Sequence, residues 1–280
     1  CAESPVPVIA DIHFNHRLAL MAMDNGISSL RINPGNIGSE EKVREVVSQA
    51  KAMQIPIRIG VNAGSLEKDL LAKYQHPTAE ALVESAMRHV RILEDLNFDQ
   101  IKISLKASDV PLMIAAYRLM AEQVPYPLHL GVTEAGNAKH GIVKSAIGIG
   151  TLLAEGIGDT IRVSLTGNPL QEIPVAKQIL RSLDLYPKGV EIISCPTCGR
   201  TQIALEQLVD AVDQMVSKVD KPLKLAVMGC VVNGPGEARE ADIGIAGGDG
   251  FGMIFEKGVQ VEKLPYDELL PALLKRIENF

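Results

Sequence analysis

Two sets of residues in this chain are spaced for chemistry. The first is Cys195-Pro196-Thr197-Cys198, answered 32 residues later by Cys230 in Gly229-Cys230-Val231-Val232-Asn233-Gly234-Pro235-Gly236-Glu237. A Cys-x-x-Cys pair puts two thiolates on one tight turn, and Cys230 must be returned to them by the fold. Cys1 is the remaining cysteine and has no ligand pattern around it. Structural zinc usually shows two such pairs or paired histidines, and no His follows His140. A redox pair would employ Cys195 and Cys198 but leave Cys230 without a purpose. An iron–sulfur cluster employs all three. Because cubane clusters normally take four Cys, three imply an open iron or a ligand of another type. Glu237 is the nearest carboxylate after Cys230, on a Gly-Pro-Gly turn. The radical-type Cys-x-x-x-Cys-x-x-Cys pattern is absent. The cluster is the leading expectation, with a structural zinc module and a redox pair as alternatives.

The second set lies in short β-branched runs. Charged and amide residues recur there at period two, in Arg31-Ile32-Asn33, Arg58-Ile59-Gly60-Val61-Asn62, Lys102-Ile103-Ser104 and Arg162-Val163-Ser164. Alternation puts Arg31 and Asn33 on one strand face and Ile32 on the other. If helices cover the apolar face, the polar face is an interior lumen. Unpaired buried arginines cost several kcal/mol each, so several on one lumen call for an anion. Guanidinium forks match phosphate oxygens. Pairing with Asp11, Glu134 or other carboxylates is the alternative. The strand ends carry Asp11 and His13, Arg31 and Asn33, Arg58 and Asn62, Ser104 and Lys106, Thr133 and Glu134, and Arg162 and Ser164. Glu134 is the candidate acid or base, since a carboxyl beside cations and a substrate oxygen can move a proton. His76, His89 and His140 read as surface residues, and His129 receives no role.

The elements that must position these groups alternate. Strand runs at Val6–Ile12, Ser29–Asn33, Ile57–Asn62, Gln100–Lys106, Leu128–Glu134 and Thr160–Leu165 are separated by helical patterns. One helix runs from the N-cap Thr78 through Leu82, Ala86, Val90, Leu93 and Leu96, another follows Ser108, and a third opens at Asn168-Pro169. Repeated βα units predict a parallel sheet. Active sites of barrels sit at the C-terminal strand ends. The expected fold is α/β: a (β/α) TIM-type barrel over residues 1–187, then a smaller α/β cluster domain over 188–280. A closed barrel has about eight strands, so the barrel is expected to lack about two N-terminal βα units. An open six-stranded sheet is the alternative. Beyond Tyr186-Pro187-Lys188-Gly189 the pattern predicts strands at Val190–Ser194 and Leu223–Met228, a helix from Thr201 to about Val219, a hairpin about Gly247–Gly250 and a final helix.

A net charge of -6 argues against a nucleic-acid partner. No apolar run reaches the roughly 20 residues of a membrane helix. Four cysteines in 280 residues do not make a disulfide framework, which favours thiols in a reducing compartment.

The longer motifs resemble a known family. Ala10-Asp11-Ile12-His13-Phe14, Leu30 to Gly38, Pro56 to Glu67, Thr133-Glu134-Ala135-Gly136, Lys144 to Gly148, Cys195 to Arg200 and Gly229 to Ala238 are similar to 4-hydroxy-3-methylbut-2-enyl diphosphate synthases. The resemblance implies reductive ring opening of 2-C-methyl-D-erythritol 2,4-cyclodiphosphate in the non-mevalonate isoprenoid pathway. It implies a [4Fe-4S] cluster on Cys195, Cys198 and Cys230, with Glu237 as an exchangeable fourth ligand. It further implies diphosphate binding by Arg58, Lys106, Arg162, His13 and Asn62, Asn233 near the cluster, and Glu134 as proton donor or substrate contact. Electrons would come from a ferredoxin or flavodoxin. The implied assembly is a homodimer in which one subunit's cluster domain caps the other's barrel. The implied compartment is bacterial cytoplasm, or plastid stroma after loss of a transit peptide. The family's first two βα units have no counterpart in the matched motifs.

Overall fold

The computed structural model describes residues 1–232 and 234–280, with backbone alone for Pro34, Gly35, Pro235, Glu237 and Ala238. Contacts divide the chain into Cys1–Leu183 and Asp184–Phe280.

The first unit alternates β1 (Ile9–Asp11), α1 (His16–Asp24), β2 (Ser29–Ile32), α2 (Pro34–Ile37), α3 (Glu40–Met53), β3 (Ile57–Asn62), α4 (Lys68–Tyr74) and α5 (Ala79–Asp95). It continues with β4 (Ile101–Lys106), α6 (Val110–Ala121), β5 (His129–Leu130), α7 (Ala138–Ala154), β6 (Thr160–Ile161) and α8 (Glu172–Arg181). Strands β1-β2-β3-β4 form one parallel sheet and β5-β6 a parallel pair, with a single bridge from Ile103 to Leu128 between them. Helix starts follow the sequence chemistry. Thr78 Oγ1 accepts from Ala81 N at 3.1 Å, and Asp109 Oδ1 accepts from Leu112 N at 2.7 Å, each cap contributing about 1 kcal/mol. The apolar strand residues Ile57, Ile59, Ile101 and Ile103 join Leu82, Ala86, Val90 and Leu93 of α5 and Met113, Ala116 and Tyr117 of α6 in one buried core. Burying each large aliphatic side chain contributes roughly 1.5–3 kcal/mol. That leaves the alternate strand positions free to be polar.

Three strands are much shorter than their sequence runs: β1 spans only Ile9–Asp11, and β5 and β6 hold two residues each. Pairing with β6 stops after Leu130, because Thr133 N turns to donate to Ala107 O beyond β4 at 3.2 Å. A Cβ on Gly131 would lie 3.0 Å from Arg162 O, so the two backbones approach more closely there than side chains allow. Thr133, Glu134 and Ser164 therefore stand in loops, not on strands.

The second unit holds β7 (Val190–Ser194), α9 (Leu205–Val216), β8 (Leu223–Met228), α10 (Gly234–Glu237), β9 (Ile243–Gly247), β10 (Phe251–Glu256), β11 (Val259–Pro265) and α11 (Leu269–Asn279). Its sheet runs β7-β8-β9-β10-β11, parallel from β7 to β9 and antiparallel from β9 to β11. Val212, Leu225, Ile245, Ile254, Leu269 and Leu273 form its core. β11 was not anticipated from the sequence. Lys257 and Gly258 take left-handed φ of 48° and 78°, as a two-residue hairpin requires. Among the described residues no helix is long and apolar enough to cross a membrane.

Candidate active-site residues in two units

Parallel register stacks the strand-borne polar residues in layers. Asp11, Arg31, Arg58 and Lys102 are successive cross-strand partners, as are Gly60 and Ser104, then Asn62 and Lys106. Partners at one level point to one face, so the cations share the face opposite the core. Arg31 is 3% exposed. Its Nη1 donates to Asp11 Oδ1 at 2.9 Å and its Nη2 to Gly60 O at 3.2 Å, with His13 Nδ1 3.4 Å from Nη1. Gly60 makes this possible, since a Cβ there would lie 2.3 Å from Arg31 Nε.

The rest of the face is short of acceptors. Arg58 and Lys106 are buried. Burial pulls the Lys106 ammonium down to about 7, helped by Arg162, Arg58 and Arg31, against the pull of Asp11. Burial likewise lowers Arg58, with Arg31 and Arg162 adding to the effect. Among the described residues the donors Arg58 Nε and Arg31 Nε, and the acceptor Asn62 Oδ1, are buried with no hydrogen-bond partner. Such atoms cost about 1–3 kcal/mol each when left unpaired. A surplus of buried cations with unused donors is the physical signature of an anion site. Asn33 and Ser104 are buried in the same unit, and Ser104 Oγ donates to Ile59 O at 3.3 Å. Arg162 is exposed and donates to Ser164 Oγ at 3.3 Å. Asp11 and His13 are half exposed.

Thr133 and Glu134 line an open cleft of about 720 Å³ with Asn62, Ser65, Ser108 and Asp109. Glu134 is exposed and adopts a left-handed φ of 51°, a conformation that costs a non-glycine residue about 1 kcal/mol or more. It stands at the rim with Asn62, not among the buried cations.

One histidine reading changes. His89 is not a surface residue: it is 4% exposed, with Nε2 3.1 Å from Glu67 Oε1, which also accepts from Ser85 Oγ at 3.1 Å. Burial alone would raise the Glu67 carboxyl, yet the close approach of His89, its own backbone amide and the Ser85 hydroxyl bring it down to about 2. His76 and His140 are exposed as expected. His129 is buried beside Thr160 on the cationic face, and sequence reasoning gave it nothing. A signal existed: a lone polar residue between Leu128 and Leu130, in phase with the lumen-facing positions of the other strands.

In the second unit Cys195, Cys198 and Cys230 line one cavity of about 330 Å³ with Ile193, Arg200, Met228 and Gly234. All three are free thiols. Gly229 N donates to Cys195 Sγ at 3.2 Å. The Arg200 backbone amide, its guanidinium and Thr201 hold the Cys198 thiol below its usual value. Cys198 N donates to Thr201 Oγ1 at 3.2 Å, which fixes the turn. Amide and cationic donors aimed at sulfur stabilise thiolates and tune clusters, so this donor set fits an iron–sulfur cluster. Among the described residues no group of three His, Cys, Asp or Glu is gathered tightly enough to hold a metal ion; the thiols share a cavity instead. Asn233 lies outside the described residues. Glu237 closes α10 by its backbone, and its side chain is likewise outside them.

The GcpE TIM-barrel domain family matches residues 1–177, and the GcpE protein C-terminal domain family matches residues 191–279. This chain belongs to the GcpE family. A relative in Geobacter sulfurreducens, named 4-hydroxy-3-methylbut-2-en-1-yl diphosphate synthase (flavodoxin), is 60% identical over 99% of this chain and 78% of its own length. Relatives of the same name in Clostridium tetani and Clostridium perfringens are 61% and 60% identical, over 98% and 99% of this chain and 78% and 80% of theirs. Among solved structures, a (S)-3-O-geranylgeranylglyceryl phosphate synthase from Thermoplasma acidophilum matches 65% of this chain and 93% of its own at 10% identity, with a TM-score of 0.24, too low to carry an argument.

Proposed function

We propose that this chain is a 4-hydroxy-3-methylbut-2-en-1-yl diphosphate synthase, reductively opening 2-C-methyl-D-erythritol 2,4-cyclodiphosphate to the linear allylic diphosphate in isoprenoid biosynthesis. The observation that carries this is the identity of about 60% to relatives of that name, running through both units. The buried, under-partnered cations of the first unit support it, because the substrate's diphosphate is the anion such a face accepts.

In this reading residues 1–187 bind substrate and residues 188–280 hold a [4Fe-4S] cluster. Arg58, Lys106, Arg162, His13 and Asn62 hold the diphosphate by charge-assisted hydrogen bonds, worth roughly 1.5–3 kcal/mol each. Asp11 and Arg31 set the geometry of that ring, and Asn33, Ser104, Thr133 and Ser164 supply further polar contacts. Glu134 exchanges a proton with solvent and passes it to substrate, a role supported by its exposure at the cleft rim. Cys195, Cys198, Cys230 and Glu237 are the ligands that would hold the cluster, with Asn233 beside it. When bound, the cluster supplies the two electrons of the reduction one at a time. Loss of the hydroxyl as water consumes those electrons and protons, which is why a carboxyl near the substrate is needed. Flavodoxin, named for the relatives, is the electron donor, with ferredoxin the alternative. The working assembly is a cytoplasmic homodimer whose active site joins the barrel of one subunit to the cluster domain of the other.

Anaerobic purification followed by iron, sulfide and zinc determination tests the cofactor directly. About four irons and four sulfides per chain are expected for a cubane. Stoichiometric zinc without sulfide would sink the cluster reading.

A further inference from the structure

His129 has no part in the reading above, yet the register places it inside the cationic face. The Ile103–Leu128 bridge sets His129 beside Ser104, and His129 pairs with Thr160. Gly60, Ser104, His129 and Thr160 thus form one level. Asn62, Lys106 and Arg162 stand two residues further on, a step of about 6.6 Å toward the C-terminal strand ends. His129 is 8% exposed. Its Nδ1 lies 2.9 Å from Thr160 Oγ1, and its Nε2 is buried with no partner among the described residues. Burial first, then the charges of Arg58, Lys106, Lys102 and Arg162, bring its imidazole down to about 3, so the ring is neutral at physiological pH. A neutral imidazole carries one N–H, and the group bonded to one nitrogen decides which. Thr160 O–H donating to Nδ1 would leave the proton on Nε2, the buried nitrogen with no partner.

We propose that His129 is a further binding residue for the anionic substrate, its Nε2–H donating to a phosphate oxygen from beneath Asn62, Lys106 and Arg162, with Thr160 fixing the tautomer. This rests on the reading that the lumen binds the diphosphate. A neutral donor suits the position, because it adds a hydrogen bond without adding a fifth charge to Arg58, Lys106, Lys102 and Arg162. It also removes an orphaned polar atom when the ligand arrives.

The test is calorimetric binding of inorganic pyrophosphate to the full chain and to three variants. His129→Leu removes the donor, His129→Gln restores an N–H near the Nε2 position, and Arg58→Gln reports on the lumen itself. The expected result is an affinity about tenfold weaker for His129→Leu, roughly 1.4 kcal/mol, with His129→Gln within about threefold of the native chain and Arg58→Gln strongly impaired. Native affinity in His129→Leu beside loss in Arg58→Gln overturns the His129 assignment and leaves the lumen reading standing. Native affinity in both overturns the lumen reading as well. Should His129→Leu fail to fold, ¹⁵N spectra of the native chain decide: pyrophosphate should hold the His129 proton on Nε2, and a proton on Nδ1 in the bound state contradicts the proposal.

Discussion

Replacing Gly60 by alanine adds one methyl group, and its consequence follows from a single crowding. The new Cβ would lie 2.3 Å from Arg31 Nε, 2.6 Å from Nη2 and 2.8 Å from Cζ. Gly60 has no left-handed φ, so backbone strain is not at issue. Arginine is flexible, but Arg31 is 3% exposed and closed in by Asp11 and the Gly60 carbonyl. It cannot move aside and keep both partners. The buried bond to Gly60 O is worth about 1.5–3 kcal/mol as a charged hydrogen bond. The Asp11 pair adds less, because the Asp11 side chain is 47% exposed and solvent screens it. A loss of about 2–3 kcal/mol is expected, lowering the melting temperature by roughly 4–12 °C for a unit of this size. Urea and thermal melts of Gly60→Ala, Arg31→Ala and the double variant measure it. With the guanidinium gone the methyl has room, so Gly60→Ala should cost under about 0.5 kcal/mol in the Arg31→Ala background. An equal cost in both backgrounds would refute the crowding argument.

Lys106, drawn down to about 7 chiefly by burial, makes anion binding pH-dependent. Sulfate affinity should fall as pH rises through about 7, and Lys106→Met should flatten the profile. The unfolded chain binds the extra proton between about 7 and the ordinary lysine value of 10.5, so stability should rise with pH across that window and lose this slope in the same variant. Glu67 gives a slope of the same sign in a lower window: its depressed carboxyl stabilises the fold above 4.5, and the stability gap to Glu67→Gln should shrink as pH falls toward about 2. Ser85→Ala should cost about 1 kcal/mol in a melt, and no loss would remove Ser85 from that cluster. Glu237→Ala should retain most of the iron and sulfide, alter the cluster spectrum and stop turnover; unchanged turnover would take Glu237 out of the mechanism.

Much of the first unit was legible because period-two alternation is a direct record of which strand face is buried. Arg31, Arg58, Ser104 and Lys106 stand where that alternation put them. What was not legible depends on partners far away in the chain. Leu128–Glu134 reads as one strand, but the hydrogen bond from Thr133 to Ala107 ends it early, and Glu134 becomes a rim residue. His89 occupies a helix face whose neighbours look half polar, and only the loop bearing Glu67 explains its burial. β11 was missed although Val259, Val261 and Lys257-Gly258 carry a hairpin's alternation and turn, because its exposed face dilutes the apolar signal. The cysteine spacing announced a shared site, whereas the amide aimed at Cys195 and the cation beside Cys198 needed the folded turn.

The central claim joins a diphosphate-binding lumen to a thiolate-held cluster in one reaction. Anaerobic turnover measures that union: the cluster-loaded chain, reduced flavodoxin and 2-C-methyl-D-erythritol 2,4-cyclodiphosphate, with product identified by mass and NMR. The expected product is the linear allylic diphosphate, formed by the native chain and abolished by Cys230→Ser and by Arg58→Ala. A cluster-loaded, reduced protein that returns the cyclic diphosphate unchanged would contradict it.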